Sequence, residues 1–282
     1  MRPDWRHPKL PNILYNLANN ICIDTELVLP KFDYNLSTYP DEYPIYLALS
    51  KLHNVIMDDI VIGYGLGELI QRIYTQLDID SLSIVTPTWP MAEIFPRIYN
   101  IPITDSSDVL YLSNPNGIHG TVISVEEIKE LLNQYKLVIL DEAYGDYSNV
   151  SMITEYTKYD NLIILKTFSK TLSLPGLRLG YCISSNKDII ERLQLTRPSC
   201  VSSGFNIDLV PKLIDLIPEH LARMKQTKEV LVSNYNAKHT HGNFVLFDSK
   251  PNIKDQVLIK QIDNFYRMSL FNMPLMKEIF ND

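Results

Sequence analysis

Between residues 60 and 184 the chain repeats one pattern: a short, wholly apolar run, a polar break, then a stretch with apolar residues at helical spacing. IVIG at 60–63 is followed by GELIQRIYTQL, LSIVTP at 82–87 by MAEIFPRIYN, and VLYLSNPN at 109–116 by SVEEIKELLNQY. KLVILDEAY, NLIILKTFS and LRLGYCIS are three further strand-like runs on short connections. Strands that are apolar on both faces and alternate with helices belong to a mainly parallel sheet with helices on both sides. The predicted fold is therefore α/β, a mainly parallel sheet sandwiched by helices, in a large domain over 30–205. Within it, Ser124 and Glu127 have the spacing of a capping box at a helix start. Beyond 205 the pattern becomes two helical stretches, 206–217 and 219–235, then the strand NFVLFDS and the strand-like FYRMSL. Residues 1–29 and 206–282 are expected to form a small, shortened α+β domain.

In open α/β sheets, ligands sit beyond the carboxyl ends of the strands. The polar residues that interrupt this chain fall at those ends: Gly65–Glu68, Thr88–Trp89, Asn114–Asn116, Asp141–Tyr144 and Thr167–Lys170. Lys170 stands alone among small and apolar residues in TFSKTLSLPGLRLG, with Arg178 eight positions on. A ligand that uses all of these groups carries a phosphate and an electron-poor aromatic ring, and is attached to a lysine. The Leu66 and Gly67 amides open a helix and suit an anion, Arg178 supplies a bidentate clamp, and Thr167 a hydroxyl. Trp89 offers a flat face to a ring. Asp141 ends a very apolar strand, where a carboxylate is costly unless a cation such as a protonated ring nitrogen meets it. Tyr144, in the same turn, is placed to hydrogen-bond a ring hydroxyl, and Lys170 to form the imine. The G-x-G-x-x-G dinucleotide pattern fails, because Glu68 stands where its third glycine belongs.

Bulk properties narrow the partners. The net charge of −7 leaves no basic surplus for nucleic acid. Cys22, Cys182 and Cys200 are too few and too scattered for a disulfide framework or a zinc site. His239 and His241 read as a turn before a strand, not as a metal pair. No window holds the roughly 20 apolar residues of a membrane span, and the first residues lack a signal-peptide core. The expectation is a cytoplasmic protein without a metal, acting on small molecules.

Taken together, these segments resemble the fold-type I pyridoxal-phosphate aminotransferases of class I/II, in particular the histidinol-phosphate aminotransferase branch. SKTLSLPGLRLGY is similar to that branch's lysine segment, DEAYGDY to its Asp-x-Ala-Tyr turn, PTW to its ring-stacking segment and GYGLGELI to its phosphate-loop helix. The motifs run in the family's order from about residue 39 to 183. The resemblance implies pyridoxal 5'-phosphate held by Leu66, Gly67, Trp89, Asn116, Asp141, Tyr144, Thr167, Lys170 and Arg178, with Lys170, Asp141 and Tyr144 catalytic. By the same resemblance, Tyr39 in STYPDEYP reaches the phosphate of the neighbouring subunit, which implies a homodimer, and Arg267 in FYRMSL binds the substrate α-carboxylate.

The implied reaction moves an amino group between an amino acid or amino-phosphate donor and a 2-oxo acid, through a Lys170 internal aldimine. Decarboxylation of a phosphorylated amino acid on the same scaffold, or ligand binding without turnover, stay open as alternatives. One departure concerns the cofactor directly. The family's N-P-N-N-P-T-G loop reads Asn114-Pro115-Asn116-Gly117-Ile118-His119-Gly120 here, so Gly117 replaces the asparagine that touches the ring hydroxyl. Either Asn116 takes over, or Tyr144 serves alone. A second departure is the brief linker between FVLF and FYRMSL, where relatives carry a longer part of the small domain.

Overall fold

The computed structural model describes residues 41–198, 200–253, 259–273 and 279–280. Tyr39 and the 1–29 segment lie outside the described residues. The large unit is built from α1 (Tyr43–His53), β1 (Ile60–Gly63), α2 (Leu66–Gln76), β2 (Ser83–Ile84), α3 (Pro90–Ile98), β3 (Val109–Ser113), α4 (Val125–Gln134), β4 (Leu137–Asp141), β5 (Leu162–Thr167), α5 (Phe168–Thr171), β6 (Gly180–Ile183), α6 (Lys187–Leu195) and α7 (Gly204–Ile214). The long helix α8 (Ile217–Tyr235) leads into β7 (Phe244–Phe247), β8 (Lys260–Ile262) and β9 (Phe265–Ser269).

Six strands form one sheet in the order β1-β6-β5-β4-β3-β2. β2 through β5 pair in parallel, while β6 runs antiparallel to both β5 and β1. Alternation along each strand then decides the layers. Leu110, Leu112, Val138, Leu140 and Ile164 face one side, against Ile45 and Leu49 of α1, Ile128 and Leu132 of α4, and Leu209 and Leu213 of α7. Tyr111, Ile139, Ile163 and Leu165 face the other, against Leu69, Ile70 and Ile73 of α2. Each such aliphatic side chain contributes about 1.5–3 kcal/mol by leaving water, which is why both faces must be covered.

Local chemistry sets the element ends. Ser124 caps α4 with the reciprocal Ser124–Glu127 bonds that its spacing predicts. The boundary expected at 206 falls inside α7, whose apolar face joins the large core. α8 is the helix that carries the small sheet: its Met224 and Leu231 pack with Val245, Phe247 and Met268. That sheet is antiparallel in the order β7-β9-β8. No helix among the described residues is long and apolar enough to cross a membrane.

Candidate active site

Register brings the strand ends together. Gly180 pairs with Thr167 of β5 on one side and Gly63 of β1 on the other, and Ser113 of β3 pairs with Asp141 of β4. The turns after β1, β3, β4 and β5 therefore open at one end of the sheet.

After β1 the chain passes Gly65, at φ 78°, into α2, whose first turn has no side-chain cap. A β-carbon at Gly65 would sit 2.6 Å from Arg178 Nη2, and one at Gly180 would sit 2.8 Å from the Leu66 nitrogen. Both glycines are thus required by close approach: one admits the guanidinium, the other lets the loop lie on β6. Arg178 has left-handed backbone, φ 52°, and donates to the Pro175 and Tyr64 carbonyls. The result is a run of uncapped amide N–H groups facing a guanidinium, an anion cradle. Trp89, at the start of α3, closes one flank; a β-carbon on Gly67 would lie 3.8 Å from its indole.

Asp141 is 4% exposed. Its Oδ1 accepts from the Ala143 amide at 2.9 Å and its Oδ2 from the Tyr111 hydroxyl at 2.5 Å. Burial pushes its pKa above the ordinary carboxylate range against the pull of those donors and of Lys170. Tyr144, three residues on, accepts from Arg267 Nη2 at 3.2 Å, and the Lys170 ammonium lies 5.6 Å from its ring centre. Burial alone would raise the phenol, but Lys170 and Arg267 outweigh it and its pKa lies below the ordinary value. Arg267, on β9 of the small sheet, is 3% exposed and stacks 3.6 Å over the Phe244 ring. Its Nε has no partner among the described residues. A buried guanidinium with donors to spare is a site for a carboxylate.

Two predicted residues have other engagements. The Thr167 hydroxyl caps α5 by accepting from the Ser169 amide and donates to the Leu179 carbonyl. Asn116 spends its carboxamide oxygen inside its own turn, accepting from the Ile118 and His119 amides, and its nitrogen donates across to the Pro87 carbonyl. Gly117 faces Tyr144: a β-carbon there would meet the phenol ring at 3.1 Å. The glycine and the position of Tyr144 are therefore one adjustment.

Three contributors carry no mark in a pattern of apolar and polar runs. Ser169 sits beside Lys170 on α5, with its hydroxyl 3.1 Å from that of Thr167. Tyr111 looks like any apolar strand residue; its position two before Ser113, hence on the same face as the neighbouring Asp141, was the available signal. Lys166 lies in the middle of the apolar run NLIILKTFS yet is 3% exposed, donating to Asp146 at 3.0 Å with Glu142 at 3.6 Å. Glu142 also accepts from Ser151 and the Met152 amide, so this group holds the 141–147 turn against β5. Lys166→Met is expected to cost about 3–5 kcal/mol, because two carboxylates lose their buried cation; urea unfolding of the variant measures it.

The model of the class I and II aminotransferase family matches residues 99–241. The chain is 26% identical over 246 residues to the histidinol-phosphate aminotransferase of Pyrococcus furiosus, over 77% of this chain and 71% of that one. It is 33% identical over 232 residues to the histidinol-phosphate aminotransferase of Thermotoga neapolitana, over 73% and 68% of the two chains. Among solved structures, histidinol-phosphate aminotransferase from Sinorhizobium meliloti in complex with pyridoxal-5'-phosphate superposes with a TM-score of 0.76 at 17% identity, over 86% of this chain and 80% of that one. The L-threonine-O-3-phosphate decarboxylase of Porphyromonas gingivalis gives 0.70 at 20% identity, over 86% and 90%. Both share the fold.

Proposed function

The chain belongs to the class I and II aminotransferases, and we propose that within this family it moves an amino group between an amino acid or amino-phosphate donor and a 2-oxo acid, using pyridoxal 5'-phosphate attached at Lys170. The observation that carries the reading is the grouping of Lys170, Tyr144 and Asp141 with a buried, incompletely paired Arg267. The residues fit the cofactor. An uncapped helix N-terminus faces Arg178, suited to a phosphate, and a buried carboxylate whose pKa burial has raised needs a cationic partner.

When bound, the cofactor supplies an electron-withdrawing ring that takes up the electrons of a bond broken at the substrate Cα. The Leu66 and Gly67 amides and Arg178 would hold its phosphate, with Thr167 and Ser169 alongside. Trp89 would cover the ring, Asp141 would keep the ring nitrogen protonated, and Tyr144 would meet the ring hydroxyl without help from position 117. Lys170 would take the proton from the substrate Cα as general base and deliver it to the cofactor's C4′ as general acid. Arg267 orients the substrate by its α-carboxylate. A homodimer, with Tyr39 reaching the neighbouring site, belongs to the same reading on the strength of the sequence resemblance. So does a cytoplasmic location.

Absorption spectroscopy tests it. The purified protein is expected to show a visible band that one amino acid, from a panel including amino-phosphates, converts to the ultraviolet band of the amine form and that a 2-oxo acid restores. Release of carbon dioxide without that conversion would identify a decarboxylase instead, and absence of any band with added cofactor would remove the assignment.

A further inference from the structure

The buried carboxylate has two hydrogen bonds of different origin. The Ala143 amide belongs to Asp141's own turn and would be present in any chain with that backbone. The Tyr111 hydroxyl comes from the neighbouring strand, and at 2.5 Å it lies at the short end for an O–H donor on a carboxylate. Tyr111 is fully buried and sits within β3, registered opposite Ile139 two residues before Asp141. Tyr74 of α2 lies on the same face and is also buried, but its hydroxyl has no partner among the described residues.

We propose that Tyr111 is a positioning residue that, by donating to Asp141, keeps the shared proton on the ring nitrogen of the bound cofactor and not on the carboxylate. Like the function above, this depends on pyridoxal phosphate occupying the site. The direction follows from acidity. A carboxylate that accepts a strong hydrogen bond is a weaker base, so a proton between it and a pyridine nitrogen stays with the nitrogen. Without the donor, the same carboxylate in the same apolar surroundings becomes more basic and draws the proton over, and the ring loses its positive charge. The phenol is a dependable donor: burial and the nearby Asp141 hold its own pKa well above the ordinary value, so it keeps its hydrogen. The bond also fixes the carboxylate plane from the neighbouring strand, independently of the turn that carries Tyr144.

The test loads wild type, Tyr111→Phe and Tyr74→Phe with pyridoxal phosphate labelled with nitrogen-15 in the ring, and records the ring-nitrogen resonance. Wild type and Tyr74→Phe are expected at the position of a protonated pyridine, and Tyr111→Phe shifted toward the unprotonated one. Its kcat is expected to fall about tenfold, the worth of one hydrogen bond to a charged group, with KM unchanged. An unshifted resonance in folded Tyr111→Phe overturns the proposal, as does an equal shift in Tyr74→Phe, which would make it an effect of packing. Should Tyr111→Phe fail to fold, a variant with 3,5-difluorotyrosine at position 111 decides. It keeps ring and hydroxyl but donates more strongly, and its resonance must lie no nearer the unprotonated position than wild type. A wild type that shows only free cofactor refutes the function itself and this inference with it.

Discussion

Lys170→Ala is expected to lose the visible cofactor band and about 10²- to 10⁴-fold in the amino-transfer rate, the range associated with removal of a general acid and base. The fold should remain. Lys170 is half-buried on the short helix α5, and what anchors that segment is the Tyr147 hydroxyl on its backbone carbonyl and the Thr171 hydroxyl on Asp146, not its ammonium. The change in stability should therefore stay within roughly 1 kcal/mol. Lys170→Arg separates charge from chemistry. It keeps a cation beside Tyr144 but has no primary amine, so it should be as inactive as the alanine variant. In Lys170→Ala the Tyr144 phenol loses one of the cations that hold its pKa down, so its ultraviolet titration should move to higher pH. An alanine variant that kept the band would place the attachment elsewhere.

Asp141→Asn should divide activity from stability. Removing the charge opposite the ring nitrogen is expected to cost about 10²- to 10³-fold in rate, comparable to loss of a preorganised electrostatic contact. The same change should stabilise the protein without cofactor by about 1–2 kcal/mol, because burial of the carboxylate outweighs its two hydrogen bonds. The pH dependence follows from the raised pKa. The native carboxyl holds its proton more tightly than the unfolded chain does. Its contribution favours the folded state at low pH and is lost as pH rises through the native pKa. Cofactor-free wild type and Asp141→Asn should therefore converge in acid and diverge as pH rises. Thermal melts of both proteins across pH measure this. A variant less stable than wild type at neutral pH would show that the carboxylate is already compensated without the cofactor.

The sheet and the site differ in how far they can be read from residue order. Apolar runs such as LVIL and LIIL announce strands buried on both faces, and polar residues at their ends announce a site, because both follow from local alternation. Partnership across strands does not. That Asp141 has Tyr111 beside it, and that Lys166 turns away from it toward Glu142, depends on which strands are neighbours and in what register. The chain order β3, β4, β5 suggests the neighbours, but only the pairing Ser113↔Asp141 places Tyr111 on the carboxylate's face. Asn116 illustrates the opposite limit. Its type and place suit ligand contact, yet a turn with two amides to satisfy engages its oxygen. Gly117 reads as a loss in sequence; beside Tyr144 it is a matter of space.

The small sheet has a consequence for the order in which the molecule loosens. β1, β3, β5 and β6 are buried throughout, whereas β8 exposes Lys260 and Gln261 at a free edge. Local opening follows the element with fewest buried contacts, so amide hydrogens should exchange first along β8, the edge strand beside β9. Arg267 and the Phe244 ring beneath it stand on that sheet; the anion cradle, Asp141 and Lys170 belong to the large unit. Loss of β8 would uncover the strand that carries Arg267, the residue proposed to hold the substrate carboxylate, while the deep strands stay closed. The proposed hold on the substrate thus lies one strand from the loosening edge, and the proposed hold on the cofactor lies in the sheet that opens last.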